Sequence, residues 1–218
     1  MSERRLLPAL LVFLAAAVVA GCEIATDPGR NASPPTSVST DIQSPGGNPD
    51  FLTLAAGAPP LADTVLSFYA IKGTKAEVFM YYHAQPGQTD SSKFLRFRLD
   101  RRSLCNRPNG SPIPRGDSLL ITITIIDPAK QIVQFEPSGL QFCTGREAKL
   151  NLWYAEDDHD FDMDGDIDRR DRYVERHLQI WRQESATQPW VRLMGVLMQD
   201  LDEIEVEIPG FTNYVVAY

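Results

Sequence analysis

The chain has 218 residues, with 29 acidic and 21 basic side chains and a formal net charge of −8. That balance argues against the broad basic face needed for nucleic acid, so no nucleic-acid partner is expected. The length suits one large domain or two small ones.

The first element is an export signal. Arg4 and Arg5 form a short positive region, and Leu6 to Ala20 is an uncharged apolar run broken only by Pro8. The run is too short to span a bilayer comfortably, which takes about 20 apolar residues, but it has the length and flanks of a signal-peptide core. It ends in Val19-Ala20-Gly21-Cys22, which resembles the bacterial lipobox. That resemblance implies cleavage after residue 21, acylation of Cys22 and anchoring to membrane lipid through the acyl chains. Two or three chains meet the requirement for stable anchoring. Glu23 in place of Asp implies, by likeness to enteric lipoproteins, a cell-envelope location at the outer rather than the inner membrane. The competing reading is an ordinary cleavable signal with an incidental cysteine.

Removing residues 1–21 leaves 197 residues (218 less 21) with 19 basic side chains, the 21 less Arg4 and Arg5. Acidic side chains then number 28, the 29 less Glu3, for a net charge of −9. Residues 22–50 begin with the lipidated cysteine and continue as a stretch rich in Ser, Pro, Gly, Thr and Asp without apolar periodicity. Such a segment buries too little apolar surface to offset its ordering entropy. As a flexible tether it would hold a domain roughly 30 Å from the bilayer.

From Phe51 to Tyr218 the pattern has period two. Leu95, Phe97 and Leu99 alternate with Arg96 and Arg98. Leu119, Ile121, Ile123 and Ile125 alternate with Leu120, Thr122 and Thr124, and Ile204, Val206 and Ile208 alternate with glutamates. Each is the signature of a strand with two distinct faces. Further β-rich runs cover 65–71, 76–83, 132–135, 150–154 and 211–218, separated by turn residues such as Pro86-Gly87, Asn109-Gly110 and Pro209-Gly210. Many short strands with regular punctuation predict an all-β fold, a two-sheet β-sandwich of short antiparallel strands.

Phe135-Glu136-Pro137-Ser138-Gly139-Leu140-Gln141-Phe142, followed by the strand at 150–154, resembles the centre of the β-sandwich domain of ankyrins and netrin receptors (the ZU-five type). Leu178-Gln179-Ile180-Trp181, Pro189-Trp190 and Phe211 to Ala217 are similar to the UPA-type module that accompanies it. The chain departs upstream, where Pro112-Ile113-Pro114-Arg115-Gly116 replaces the family's Pro-Pro-Gly-Ala, and no Pro-Val follows Phe142. The resemblance implies architecture, and it implies no catalytic residues.

Setting Cys22 aside leaves Cys105 and Cys143. An even pair in an oxidising compartment reads as a disulfide. Two buried, inert thiols are the alternative.

The constellation that carries chemistry is Asp160-Phe-Asp162-Met-Asp164-Gly165-Asp166-Ile167-Asp168-Arg-Arg-Asp171. Numbered as a twelve-residue calcium loop, side-chain oxygens fall at positions 1, 3, 5, 9 and 12. Asp166 offers its backbone carbonyl at position 7, and Gly165 stands at position 6, where the sharp turn needs it. Ile167 occupies position 8, where calcium loops tie themselves together. The spacing suits Ca²⁺, which takes six to eight hard oxygen ligands. The sequence resembles EF-hand loops, and dockerins in particular, which end on Asp. Glu156 to Asp171 holds nine acidic and two basic residues, net −7, a crowding that a cation would relieve. A solvated acidic loop is the competing reading, and composition alone does not place Gly165 and Ile167.

The runs on either side predict a strand before the loop, then one helical turn near residues 169–176 and another strand. The loop is thus an insertion at 156–171 that staples two strands, not a paired sensor hand. His83, His159 and His177 lack zinc spacing, and no nucleophile elbow or phosphate loop is present. Trp153, Trp181 and Trp190 read as sandwich core, with a sugar-stacking platform as the alternative. The expected protein is therefore a non-enzymatic envelope lipoprotein, a structural or interaction module stabilised by Ca²⁺, with an envelope protein or glycan as partner. A carbohydrate-binding module and an envelope hydrolase with an unrecognised site are the alternatives.

Overall fold

The computed structural model of the chain describes residues 48–87 and 89–218. The expected signal peptide, the acylated Cys22 and the tether as far as residue 47 lie outside the described residues.

In chain order the strands are β1 (Val65–Ile71), β2 (Ala76–Tyr81), β3 (Lys93–Leu99), β4 (Leu104–Asn106), β5 (Ser118–Asp127) and β6 (Ile132–Glu136). They continue with β7 (Gln141–Phe142), β8 (Ala148–Trp153), β9 (Gln179–Gln183), β10 (Val191–Arg192), β11 (Val196–Met198), β12 (Glu203–Ile208) and β13 (Asn213–Ala217). A single short helix, α1 (Arg169–Glu175), separates β8 from β9 among the described residues. Six strands form one antiparallel sheet in the order β1-β5-β6-β13-β9-β10, and five form a second in the order β11-β12-β8-β3-β2. The two sheets pack as a sandwich, and β4 and β7 make a separate two-stranded ribbon.

The alternation read from the sequence sets the faces. On β5, Ile121 and Ile123 are wholly buried while Leu120 is exposed. On β3, Leu95 and Phe97 point inward and Arg96 and Arg98 outward, and on β12 Ile204, Val206 and Ile208 are buried. The inner faces meet in an aromatic core. Phe135 lies 5.2 Å from both Phe97 and Phe211 and 5.6 Å from Tyr214, ring centroid to centroid. Burying such rings contributes about 1.5–3 kcal/mol each, which is what holds the layers together.

Asn151 breaks the simple alternation. It sits on the outer face of β8 yet is fully buried, because Glu203 and Glu205 of the neighbouring β12 both accept from its amide. Glu205 also pairs with Arg98 and with Lys149 (2.6 Å), so its carboxyl lies below the usual range through these partners, against the opposing effect of burial. This outer face is a lattice of paired charges, with Arg98 Nε and Asn151 Oδ1 left buried without a partner.

The three tryptophans are 8, 4 and 7 % exposed (Trp153, Trp181, Trp190). Trp181 and Trp190 pack with Val215 and Ala217 on the outside of the six-stranded sheet, under Phe51. They cover a sheet face rather than presenting rings to solvent. The strap that brings Phe51 there begins where Asp50 and Tyr218 exchange backbone hydrogen bonds, both 3.2 Å. It continues through Leu52 N–H to Val216 O (3.3 Å) and Ala55 N–H to Glu156 O (3.0 Å).

The cysteine pair is a disulfide. Cys105 of β4 and Cys143, just after β7, have Cα atoms 5.0 Å apart and close a ring across 38 positions of sequence. It fastens the small ribbon at the end of the sandwich where β3 leaves and β8 enters.

Candidate metal centre

The acidic segment leaves β8 at Tyr154 and returns through α1 to β9. Both of its ends are tied down. Tyr154 Oη donates to Glu175 (3.0 Å), Asp158 N–H to Thr53 O (2.8 Å), and Tyr218 Oη to the carbonyl of Phe161 (2.6 Å). Phe161 is 4 % exposed and joins the main core, so one apolar side chain anchors an otherwise polar loop.

Between these anchors the chain forms a tight coil. Asp160, Asp162 and Asp164 each turn a carboxylate oxygen inward, and the three oxygens lie within 4.8 Å of one another. The coil is held by its own side chains. Asp160 accepts from the backbone N–H of Asp164 (3.1 Å) and of Gly165 (2.8 Å), and Asp164 accepts from Asp166 N–H (3.1 Å). Gly165 has φ +95°, a conformation that side-chain-bearing residues resist, which explains a glycine at the sharp turn.

Asp168 and Asp171 are placed differently. Asp168 is the N-cap of α1 and accepts from Arg170 N–H (2.6 Å). Asp171 closes the reciprocal capping box by accepting from Asp168 N–H (2.7 Å), and its other oxygen takes Asp162 N–H (3.2 Å). Those backbone donors, Asp168 first, hold the Asp171 carboxyl below the usual range. Asp171 therefore joins the first half of the loop to the helix while facing the same coil. Three of the expected ligands converge directly, and two sit at the helix start beside them. Asp166 is exposed.

Ile167 departs from expectation. Instead of tying the loop together it is 72 % exposed, and Met163 is 79 % exposed. A single loop offers no second loop for the residue at position 8 to pair with, so the side chain faces solvent.

Two features bear on whether a cation fits. The Arg170 guanidinium lies 3.3 Å from Asp162 and 3.5 Å from Asp164, supplying some positive charge from a side chain that is 72 % exposed. Asp162 nevertheless keeps one buried oxygen, Oδ1, with no hydrogen-bond partner. Its carboxyl stands above the usual range through burial and the charge of Asp164. An orphaned carboxylate oxygen among hard oxygen donors is a donor set that a calcium-type ion fits.

One acidic residue of the same segment has another role that its sequence context conceals. Asp157 is 2 % exposed, packed beneath the strap, and neither carboxylate oxygen has a hydrogen-bond partner. Its neighbours include Gln131 and Tyr82, both buried, with the Gln131 amide donating to Tyr82 Oη at 2.5 Å. Burial pushes the Asp157 carboxyl up to about 8. In sequence it is one aspartate within Glu156-Asp157-Asp158. The apolar Leu52 and Leu54 of the covering strap are the available signal, and they lie about a hundred residues away.

Among the described residues no histidine joins the carboxylate cluster of the acidic coil, although His159 directly precedes Asp160. His177 Nδ1 lies 2.6 Å from Tyr173 O, and the His159 ring packs 5.3 Å from that of Phe161. One surface cleft is lined by Glu77, Arg96, Arg98 and Lys149 of the paired lattice, and another by Lys72, Arg101, Arg102 and Arg115 beside the disulfide. No family model, no curated protein and no solved structure matches the chain.

Proposed function

We propose that the chain is a membrane-anchored lipoprotein of the cell envelope whose β-sandwich is a non-enzymatic structural or interaction module stapled by one calcium ion. The anchor rests on the charged, apolar and small-residue succession ending in Cys22. The calcium staple rests on one observation above the others. Asp160, Asp162 and Asp164 converge within 4.8 Å while a buried oxygen of Asp162 is left without a partner. Asp168, Asp171 and the Asp166 carbonyl complete the proposed ligand set. Bound there, Ca²⁺ would neutralise the crowded carboxylates and lock the path from β8 to α1. The likeness of 135–142, and of 178–181, 189–190 and 211–217, to the ankyrin and netrin-receptor modules bears on architecture alone. The three buried tryptophans give the sugar-stacking alternative no support.

The test is thermal melting in EDTA, in millimolar Ca²⁺ and in millimolar Mg²⁺, with an Asp160→Ala/Asp164→Ala variant alongside. A ligand that binds only the folded state stabilises by about 2.7 kcal/mol at a hundredfold excess over Kd. Ca²⁺ is expected to raise Tm in the parent and not in the variant. Mg²⁺ should do little, because it demands near-octahedral geometry and dehydrates reluctantly. Equal melting in all three conditions, with no calorimetric binding, refutes the staple.

A further inference from the structure

The two ends of the sandwich carry opposite charge. β8 starts beside the disulfide loop and finishes at the acidic coil, so its six residues set the two regions about 20 Å apart. At the disulfide end three turns meet around a cleft of about 400 Å³ lined by Lys72, Gly73, Arg101, Arg102, Arg115 and Cys143. Lys72 and Gly73 belong to the β1–β2 turn, Arg101 and Arg102 follow β3, and Arg115 precedes β5. Within a chain of net charge −8 this is a concentration of four cations.

Of the carboxylates nearest in sequence, Asp117 and Glu147 are engaged elsewhere, and Asp100 stays beside the two arginines that follow β3. Asp117 pairs with Arg107 (2.8 Å), Asp100 accepts from the backbone N–H of Arg102 (3.3 Å), and Glu147 accepts from that of Gly145 (2.9 Å). Among the described residues, none of Arg101, Arg102 and Arg115 forms an ion pair. The neighbouring cleft differs, because there Arg96 meets Glu77 and both Arg98 and Lys149 meet Glu205. Grouping four cations around a single adjacent carboxylate, Asp100, leaves a local positive potential that favours an anion.

The framework of the cleft is fixed. Lys72 N–H donates to Asp117 O and Gly116 N–H to Lys72 O, both 2.9 Å, which clips the Arg115 turn to the end of β1. The Lys72 ammonium donates to Leu104 O and lies 4.0 Å from Cys143 Sγ, against the covalently closed ribbon. Gly73, with φ +102°, holds a turn that side-chain-bearing residues resist, and Arg115 runs alongside it. The Arg115 Cγ and Nε pass 3.5 Å from where a Cβ would stand, an ordinary van der Waals distance.

We propose that Lys72, Arg101, Arg102 and Arg115 form a binding site for a phosphate group, at the end of the sandwich remote from the acidic coil. Guanidinium forks match tetrahedral oxyanions through paired N–H donors, and a preset framework lowers the ordering cost of binding. The phosphate belongs either to a free anion or to a lipid headgroup. This site stands independently of the calcium reading.

The test uses the full chain, ¹⁵N-labelled and held in neutral detergent micelles. The guanidinium Nε–Hε resonances of Arg101, Arg102 and Arg115 are followed as millimolar inorganic phosphate is added, against chloride of matched ionic strength. A second arm replaces phosphate with micelles doped with phosphatidylglycerol, compared with phosphatidylcholine. Saturable shifts with inorganic phosphate support a free oxyanion. Shifts with phosphatidylglycerol alone support a headgroup. Arg101→Gln/Arg115→Gln is expected to weaken binding at least about tenfold, since it removes two sets of charge-assisted donors. Arg115→Lys should lose less, and Lys130→Gln at the opposite end should lose nothing. Unmoved resonances in both arms overturn the proposal, as does undiminished binding in the double variant with unchanged melting.

Discussion

Replacing Asp157 by Asn should stabilise the protein, by an amount that grows with pH. An aspartate free in the unfolded chain titrates near 3.8, whereas burial beneath the strap holds this one at about 8. Below the unfolded value both states keep the proton and the group costs nothing through ionisation. As pH rises past it, the unfolded chain releases the proton while the folded chain retains it, so stability falls until about pH 8. Each pH unit in that window is worth about 1.4 kcal/mol, which makes about 4 kcal/mol between pH 4 and pH 7 the ceiling. Opening of the strap admits water to the carboxylate, and the gain on substitution at pH 7 is expected between about 1 and 4 kcal/mol. The facing groups leave the window clean. Burial also raises the Tyr82 phenol, which stays neutral throughout, and Gln131 does not titrate, which leaves Glu156 as the neighbouring charge. The assay is urea unfolding from pH 4 to pH 8 in EDTA, followed by fluorescence of the buried Trp181 and Trp190. Convergence of the two proteins at pH 4 and divergence above it are expected. Parallel curves, or a less stable variant at pH 8, would refute the reasoning.

Three further outcomes are expected. Cys105→Ala/Cys143→Ala should lower stability by about 4 kcal/mol, the entropy released by opening a 38-residue ring, and urea unfolding with a loss under about 1 kcal/mol would contradict it. The same variant should weaken phosphate binding, because Leu104, which holds the Lys72 ammonium, adjoins Cys105. Cys22→Ser should move the protein from the membrane to the soluble fraction, and continued flotation with lipid would exclude an acyl anchor at that residue.

The β-rich runs at 65–71, 119–125 and 204–208 were legible because a strand with one buried face must alternate, whatever it later packs against. The coil at 160–171 was legible for a related reason. Its aspartates bond backbone groups two to nine residues away, so much of its turn is written locally, while Tyr218 and the core around Phe161 anchor it from afar. The cysteine pairing followed from parity, and the burial of the tryptophans from the general burial of aromatics in strands. Trp181 and Trp190 are nevertheless buried on the outer face of a sheet and not in the sandwich core. Short strands such as β4, β7, β10 and β11 left no periodicity to read, being two or three residues long. Charge was the least legible property. Arg101, Arg102 and Arg115 lie far from Lys72 in sequence and meet only because β1, β3 and β5 begin or end at one edge of the sandwich. Asp157 reads as one more solvated aspartate, and it is buried because a strap from residue 50 onward crosses above it. Local periodicity and loop spacing are written in neighbouring residues, and the sequence by itself determined those. Whether a charge is paired, exposed or sealed from water depends on segments remote along the chain, and that only the tertiary structure decided.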